Sequence, residues 1–278
     1  MLIAGGLTID RFAGGRTAPG GSVLHAGLAA VADGARPTFL TVAGDEPEAR
    51  EGLVRLAELG TVHHERSAAT TCYRHTEVDG RRVLVYEAAA DPIRLPDAAD
   101  MPPRVDVLLL APIADELPAP EIPAFRQRLG PRLTMLLIQG WLRRLAVGEP
   151  VRPLALSELT AETWGSFADA DAIVVSTEDL TATPRDPFAQ AAAMRARLGP
   201  RPVLVLTLGA QGYVLDDPSA DRVVASVPRR VVDGVPSVGA GDTFGAVLAL
   251  HLARGEGPTV AAAAATESVI GMLETRRA

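Results

Sequence analysis

Four residues near the C-terminal end of the chain combine an anion-binding turn with a carboxylate. They are Gly239, Ala240, Gly241 and Asp242, and apolar residues follow at positions 244, 247, 248 and 252, the spacing of one buried helix face. The turn is therefore expected at a helix N-terminus, where free backbone N–H groups and the positive end of the helix dipole bind anions. Asp242 would stand beside that anion as a carboxylate. A bound phosphate and a base in one place predict phosphoryl transfer to a hydroxyl.

A second carboxylate, that of Asp179, is a candidate for binding the metal ion that accompanies a phosphate donor. Ser176 and Asp179 follow an apolar run at 172–175. An acidic residue after a strand can hold Mg²⁺ through water, so Asp179 is the candidate metal-associated residue. The alternative interpretation is that these residues only cap the next helix.

A glycine-containing turn follows the most apolar run of the chain, at 203–208. The hydroxyl of Thr207 and the backbone N–H groups around Gly209 and Gly212 are candidates for holding the phosphates of a nucleotide. A plain β-turn accounts for the same residues equally well.

The candidate acceptor side lies near the N-terminus. Asp10 is expected at the carboxyl end of the first strand, where a carboxylate can accept hydrogen bonds from substrate hydroxyls; a turn or cap residue is the alternative. Gly20 and Gly21 precede an expected helix that has His25 in its first turn, and paired glycines let a ligand approach the backbone closely. A tight turn with Ser22 as the helix N-cap is an equally good interpretation.

Short apolar runs alternate with helical patterns along the chain. The runs lack polar alternation, as expected of strands that are covered on both faces in a parallel sheet. The alternation predicts a doubly wound α/β sheet, in which ligands bind at the carboxyl ends of the strands. The predicted strands lie at 2–4, 38–42, 105–111, 133–138, 172–175 and 203–208, and the predicted helices include 22–32, 47–59, 187–198 and 242–253.

One region, 62–92, breaks this alternation. Two β-rich segments flank Asp79 and Gly80, which indicates a hairpin. Because no helix lies between the segments, we predict a small lid outside the parallel sheet; an edge hairpin without a role in binding is the alternative. The strand edges of such a lid also predict a homodimer formed through it. The arginines of the lid that could contact a substrate are Arg74, Arg81 and Arg82.

Composition excludes several classes of function. The 278 residues are 47% hydrophobic and 22% charged, as in a globular protein, and the net charge of −7 argues against a nucleic-acid or membrane partner. The chain contains no lysine, which excludes Schiff-base chemistry and a P-loop lysine. A single cysteine, Cys72, excludes an intramolecular disulfide framework. No apolar run is long enough for a signal peptide or a membrane span, so a cytoplasmic protein is expected.

The order of these motifs resembles that of the PfkB/ribokinase-like carbohydrate kinases over nearly the whole chain. Segment 232–244 is the most specific match, and segment 42–62 resembles another stretch of the family. The resemblance implies one kinase domain, residues 1–278, with an α/β/α sandwich and a mostly parallel central sheet. It also implies a small β lid drawn from about 8–18 and 62–92.

The same resemblance implies a kinase that uses ATP and Mg²⁺ to phosphorylate an alcohol. Asp242 would take the hydroxyl proton, and the N–H groups of Gly239, Ala240 and Gly241 would form the anion hole for the transferred phosphoryl group. Ser268 would belong to a helix and turn, 263–271, that borders the adenine pocket. The implied acceptor pocket consists of Asp10, Gly20, Gly21 and His25.

Several positions depart from the family pattern. His25 stands where the family usually has Asn, and Ser176 and Asp179 replace its Asn-x-x-Glu motif. Gln139 and Arg143 replace an Asp-x-Asn-x-Arg strand end; they are candidates for contacting substrate or phosphate, and an ordinary strand–loop junction is the alternative. These changes make ribose, fructose and adenosine poor candidates. The expected acceptor is a small sugar, a cyclitol or a nucleoside-like alcohol.

Two other functions fit the same resemblance. The first is a kinase for a vitamin-type hydroxymethyl heterocycle, which the aromatic content of only 4% disfavours because such a pocket is expected to be rich in aromatic residues. The second is a non-catalytic ligand-binding member of the same fold. The retained Asp242 favours catalysis over that interpretation.

Overall fold

The computed structural model describes residues 1–78, 81–95, 101, 104–181, 186–220 and 222–277. The predicted hairpin turn at Asp79 and Gly80 lies outside these residues. In chain order the strands are β1 (Leu2–Ala4), β2 (Thr8–Arg11), β3 (Thr17–Gly20), β4 (Thr38–Ala43), β5 (Thr61–Arg66), β6 (Thr71–Val78), β7 (Arg81–Ala88), β8 (Val107–Leu110), β9 (Leu133–Leu137), β10 (Arg143–Arg144), β11 (Arg152–Pro153), β12 (Ala172–Ser176), β13 (Val203–Thr207), β14 (Tyr213–Asp217) and β15 (Arg222–Ser226). The α-helices are α1 (Ser22–Ala32), α2 (Pro47–Leu59), α3 (Ile122–Leu129), α4 (Ala161–Ala168), α5 (Pro187–Leu198), α6 (Ala240–Ala253) and α7 (Pro258–Arg277).

A large central sheet has the strand order β15-β14-β13-β12-β9-β8-β1-β4-β5. From β13 to β5 the neighbouring strands are parallel. Every residue of β8 and β9 is buried, which explains why their sequences lack polar alternation. The two strands at the other end, β14 and β15, are antiparallel and were not among the predicted strands. The sheet is therefore mostly parallel, as predicted.

Helices cover both faces of the central sheet. One apolar core contains buried residues of α1, α2, α6 and α7, and a second core on the opposite face contains those of α3, α4 and α5. Each helix is apolar on the side that meets the sheet, because burying that side is the main source of its stability. The predicted α/β/α sandwich is confirmed. Among the described residues, no helix has both the length and the hydropathy needed to span a membrane.

A second, smaller sheet, which we call the lid sheet, has the strand order β3-β2-β6-β7. Strands β2 and β3 pair antiparallel, β2 and β6 pair parallel, and β6 and β7 pair antiparallel. Segment 62–66, which we had assigned to the lid region, instead belongs to β5 at the edge of the central sheet. The outer edge of β7 is bonded to a neighbouring loop, since Gly148 N–H donates to Tyr86 O at 2.7 Å and Val151 N–H donates to Leu84 O at 2.8 Å.

Asp10 lies in the segment 8–18 that we had assigned to the lid, and not at the carboxyl end of the first strand of the central sheet, where we had also expected it. The first strand of the central sheet ends at Ala4, and Asp10 lies in β2 of the lid sheet. The sequence obscured this because Gly5 and Gly6 fall between two short apolar runs that we had treated as one strand and its end. Asp10 is therefore carried by the lid sheet and not by the central sheet.

Candidate active site

A cleft of about 870 Å³ lies between the lid sheet, the carboxyl ends of the central strands and the start of α6. Its position agrees with the rule that ligands of such sheets bind at the carboxyl ends of the strands. Two described residues of the predicted site, Gly20 and Ser268, lie outside its wall. The predicted residues within the wall are Asp10, Gly21, His25, Gln139, Arg143, Ser176, Asp179, Thr207, Gly209, Gly212, Gly239, Ala240, Gly241 and Asp242.

The start of α6 forms the floor of this cleft. Gly239 is the N-cap in the left-handed region at φ 79°, and Asp242 in the first turn is only 6% exposed. The N–H group of Ala240 donates to Ser237 O at 3.0 Å, so it is used within the turn itself. Among the described residues, the N–H groups of Gly239 and Gly241 have no acceptor. The turn thus keeps two of its three predicted N–H donors for an anion.

The imidazole of His25 lies against this turn. A Cβ atom built on Gly239 would be 2.4 Å from Cγ of His25, so only glycine leaves room for the ring. Burial lowers the pKa of His25, and the nearby carboxylate of Asp242 partly offsets this by raising it. The neutral ring that burial favours has one donor nitrogen and one acceptor nitrogen. His25 can therefore donate to one substrate hydroxyl and accept from another.

The side-chain amide of Gln139 connects two helix starts. Its Nε2 lies 3.1 Å from Oγ of Ser22 and 3.3 Å from Oδ1 of Asp242. Ser22 is the first residue of α1 and is fully buried, whereas the N-cap is Gly21 at φ 99° and not Ser22, as the alternative interpretation had it. Gln139 is therefore in contact with the candidate base.

Arg143 extends the same network toward the phosphate side. Its Nη1 donates to Ile113 O at 3.0 Å, while its Nη2 lies 3.4 Å from Oε1 of Gln139 and 3.8 Å from Oδ1 of Asp179. Burial raises the pKa of Asp179, and the Arg143 guanidinium partly offsets this. A continuous series of contacts therefore runs from Asp242 through Gln139 and Arg143 to Asp179.

The two loops predicted for phosphate and metal binding follow neighbouring strands of the sheet. Ser176 ends β12, and its Oγ accepts from the N–H group of Glu178 at 3.2 Å, so it caps the next turn as the alternative interpretation proposed. Thr207 ends β13, where its hydroxyl lies 3.4 Å from Val175 O. Gly209 and Gly212 bound the turn that leads into β14. All four residues also line the cleft.

The acceptor end of the cleft is built on the lid sheet. Nε2 of His75, on β6, lies 3.1 Å from Oδ1 of Asp10, and the His75 ring stacks on Phe12 with 4.5 Å between centroids. A Cβ atom at Gly20 would lie 2.3 Å from Oδ2 of Asp10. Gly20 therefore contributes by leaving room for the Asp10 carboxylate. His75 was not among the predicted residues, because a single histidine in a strand carries no local signal.

A buried carboxylate supports the loop below the acceptor end. Glu116 is 1% exposed and accepts hydrogen bonds from the N–H groups of Gly6, Ile113 and Ala114, each at 2.7 Å. Burial raises the pKa of Glu116, although these N–H groups partly offset the effect. The carbonyl of Ile113 in turn accepts from the hydroxyl of Tyr73 at 2.7 Å. Glu116 thus fixes a loop that the lid and Arg143 both contact.

Apolar side chains from two further elements also line the cleft. They are Val231 and Val232 in the loop before α6, and Val269 and Leu273 on α7. Ser268 lies on this helix outside the wall, and α7 continues through 263–271, so the predicted turn there is absent and that expectation was wrong.

The C-terminal end of α7 is bonded to the segment that precedes the α6 turn. Nη1 of Arg276 donates to Pro236 O at 3.0 Å and to Val238 O at 2.6 Å. Burial lowers the pKa of Arg276, and its charge lowers the pKa of His25. No local pattern in the sequence indicated this contact, which joins residues 38 and 40 positions apart.

Of the predicted lid arginines, Arg74 is the one whose side chain the structure describes, and it does not line the cleft. Nε of Arg74 donates to Oε1 of Glu87 at 2.5 Å. The other carboxylate oxygen of Glu87, Oε2, accepts from Nη1 of Arg11 at 2.9 Å. Arg74 is therefore held on the surface of the lid sheet. The side chains of Arg81 and Arg82 lie outside the described part of the chain.

A model of a known protein family matches the C-terminal part of the chain. The family model described as "pfkB family carbohydrate kinase" matches residues 158–269, which include the phosphate loops, the α6 turn and most of the α7 wall. No curated protein sequence matches the chain. The predicted resemblance to the PfkB/ribokinase-like kinases is confirmed by this match and by the fold.

Solved structures share the fold over almost the whole chain. A pyrophosphate-dependent myo-inositol-1 kinase, studied for its conversion into a myo-inositol-3 kinase, aligns with a TM-score of 0.76 and 19% identity over 98% of this chain and 92% of that one. Fructokinase from Vibrio cholerae aligns with a TM-score of 0.71 and 18% identity over 100% and 99%. Arabidopsis thaliana ribokinase, complexed with ribose and ATP, aligns with a TM-score of 0.68 and 17% identity over 98% of both chains. At these identities the likeness establishes the fold.

Proposed function

We propose that the chain is a carbohydrate kinase of the pfkB type, a phosphotransferase with an alcohol acceptor, and that it phosphorylates a small polyhydroxy compound with ATP. The pfkB family model that matches residues 158–269 supports this proposal. One observation carries the proposal. The carboxylate of Asp242 lies at the bottom of a cleft beside two unused backbone N–H groups, at Gly239 and Gly241. A base and an anion site in contact are what phosphoryl transfer to a hydroxyl requires.

Asp242 is the proposed base. As the acceptor oxygen forms its bond to the γ-phosphorus of the donor, the hydroxyl proton passes to the Asp242 carboxylate, and the bond from that phosphorus to the bridging oxygen breaks to release ADP. A first-turn carboxylate at a helix N-terminus is favoured in its charged form, which is the form that accepts the proton. Enclosure of Asp242 in the cleft brings it close to a bound hydroxyl without competition from bulk water.

The α6 turn is the proposed anion hole. Negative charge spreads over the equatorial oxygens of the transferred phosphoryl group, and fixed N–H donors stabilise it without reorganising. We assign this role to the N–H groups of Gly239 and Gly241, together with the positive end of the α6 dipole. The sequence also predicted the Ala240 N–H group as part of this anion hole. We leave that group out of the proposal because it donates to Ser237 O.

The acceptor site favours a compound with several hydroxyl groups. Asp10, His25 and His75 present acceptors and donors at one end of the cleft. Such a set can bind hydroxyls around a ring, as in a sugar or a cyclitol. The solved neighbours include an enzyme complexed with myo-inositol, and myo-inositol is therefore the first acceptor to test.

The donor site favours a nucleotide over a bare pyrophosphate. Val231, Val232, Val269 and Leu273 give the cleft apolar surface for an adenine ring. Thr207, Gly209 and Gly212 line the same cleft and would hold the phosphates. Pyrophosphate is the competing donor, because solved structures of this fold include pyrophosphate-dependent kinases.

The residues present fit a magnesium ion that is held mainly by the donor. Among the described residues, no three His, Cys, Asp or Glu side chains form a metal cluster. Mg²⁺ commonly binds one or two carboxylates while phosphates and waters complete its shell, and the partly buried Asp179 carboxylate on the phosphate side suits that role. When bound, the ion would offset negative charge on the donor phosphates.

A turnover assay tests the proposal. The purified protein would be given ATP or pyrophosphate with Mg²⁺ and a panel of myo-inositol, ribose, fructose, a nucleoside and a hydroxymethyl heterocycle, with the phosphorylated product followed by phosphorus NMR. We expect product with ATP and a polyol, and a loss of about 10²–10⁴ in kcat for Asp242→Asn. Asp169→Asn, at an exposed helix end remote from the cleft, is the matched control.

Two outcomes would redirect the assignment. Turnover only with the heterocycle would favour the vitamin-type kinase. Thermal stabilisation by an acceptor without product, and without any effect of Asp242→Asn, would indicate a non-catalytic ligand-binding protein.

We also retain the homodimer as a proposal, with a narrower geometry. The β7 edge of the lid sheet is already bonded to the loop at Gly148 and Val151, so pairing between two copies would use the β3 edge, Thr17–Gly20. Size-exclusion chromatography with light scattering would test it. A monomer at all concentrations would reject it.

A further inference from the structure

We propose that Gln139 is a positioning residue. Its side-chain amide orients the carboxylate of the proposed base, Asp242, and keeps the Arg143 guanidinium away from that carboxylate. This inference rests on the proposed function and adds a residue that acts through Asp242 and not on the substrate. It revises the sequence-based expectation that Gln139 contacts substrate or phosphate.

The contacts of the amide determine which way it faces. Nε2 has two hydrogens and two oxygen acceptors, Ser22 Oγ at 3.1 Å and Asp242 Oδ1 at 3.3 Å, while Oε1 faces Nη2 of Arg143 at 3.4 Å. Rotating the amide by half a turn would set Oε1 against a carboxylate and Nε2 against a guanidinium. Both pairings would be repulsive, so only one orientation satisfies the site.

Rigid elements hold the amide in this place. Gln139 lies two residues after the end of β9 and caps the short helical turn Gly140–Leu142, and its own carbonyl accepts from Leu142 N–H at 3.2 Å. Its two acceptors, Ser22 and Asp242, belong to the first turns of α1 and α6, which pack in the same apolar core. The amide therefore links the acceptor-side helix to the catalytic helix at the level of the base.

The amide of Gln139 can orient the Asp242 carboxylate without lowering its basicity, because the amide carries no charge. A guanidinium in direct contact with Asp242 would favour the charged carboxylate and weaken it as a proton acceptor. Instead, Arg143 is engaged by Ile113 O and faces Asp179, and the Gln139 amide stands between its guanidinium and Asp242. By binding Oδ1, the amide leaves Oδ2 of Asp242 for the acceptor hydroxyl. Gln139 thus orients the carboxylate without an ion pair.

Two substitutions separate this role from a merely structural one. Gln139→Leu keeps the size and removes the amide, so kcat is expected to fall about 10- to 100-fold, the worth of one hydrogen bond to a charged group. The KM values for acceptor and donor are expected to stay within about twofold, because the lost contact is with the base and not with either ligand. Gln190→Leu makes the same change at a buried glutamine on α5 and is the control.

Gln139→Glu tests the electrostatic part. It would place a second carboxylate at about the same position, and repulsion between two charges at that distance is expected to move the acidic limb of the kcat profile up by roughly 1–3 pH units. The charged or titratable groups that interact with Asp242 are His25 on α1 and Asp179 after β12, and Arg143 faces Oε1 of residue 139. All three are present in both proteins, so a shift between the two profiles is caused by the substitution at residue 139.

The results distinguish this inference from the proposed function. A folded Gln139→Leu protein with wild-type kcat, or with raised acceptor KM and unchanged kcat, would overturn the positioning role; thermal unfolding verifies the fold. Absence of turnover in the wild type would reject the proposed function instead. In that case carbon NMR of the Asp242 carboxyl in the free protein still tests the contact: its titration midpoint is expected to rise in Gln139→Glu, and an unchanged midpoint would overturn the inference.

Discussion

Nε2 of His75 lies 3.1 Å from Oδ1 of Asp10, so two neighbouring strands of the lid sheet bring a carboxylate and an imidazole together at the acceptor end of the cleft. Stacking on Phe12 fixes the plane of the imidazole, and the absence of a side chain at Gly20 leaves room for the carboxylate. The lid sheet therefore provides two of the polar groups that line the cleft.

We predict that His75→Ala weakens acceptor binding more than catalysis. Removing the imidazole leaves Asp10 without a partner that orients it, so the acceptor KM should rise about 10-fold while kcat stays within about threefold. Steady-state kinetics with the best acceptor provides the measurement. His63→Ala, in the edge strand β5, is the control, and an equal effect of the two substitutions would contradict the prediction.

The partly buried His25 predicts a dependence of stability on pH. Burial lowers its pKa in the folded protein, so the unfolded chain binds a proton more readily. The stability that this histidine contributes is therefore fully present above its ordinary pKa of about 6.5 and is lost as the pH falls through the lowered folded-state value. Between pH 7 and pH 5 the wild type should lose more free energy of unfolding than His25→Asn, as measured by urea denaturation. Parallel pH curves for the two proteins would contradict this.

The turn at Gly239 should not tolerate a side chain. Gly239→Ala would require alanine at φ 79° with its Cβ 2.4 Å from Cγ of His25, which strains the backbone and displaces the ring. We expect a loss of about 1–3 kcal/mol in the free energy of unfolding and of at least about 10² in kcat. Gly271→Ala, at an open position in α7, is the control and should be at least as stable as the wild type.

The single cysteine offers a probe of lid opening. Cys72 lies in β6, is 3% exposed, and burial raises the pKa of its thiol to about 11. Only roughly one thiol in a thousand is then ionised at pH 8, so reaction with a disulfide reagent should be slow in the native protein and fast in urea. Acceptor binding should slow it further if the lid must open for reaction. Rapid native labelling, or no effect of acceptor, would contradict this.

The chemical class of this protein can be read from local sequence. Gly239 through Asp242, followed by an apolar helical face, already predicts an anion site beside a carboxylate. The all-apolar runs predict a sheet that is buried on both faces. These inferences succeed because a helix start and a doubly covered strand each leave their pattern within a few consecutive residues.

What only the tertiary structure decided is which side chains meet. Gln139 and Asp242 are 103 residues apart, and nothing near either of them in sequence indicates the contact. Local sequence also does not indicate that Asp10 lies next to His75, or that α7 continues through Ser268. Packing chooses among the many partners that a polar side chain could take, and that choice depends on the positions of distant elements, which local periodicity does not record.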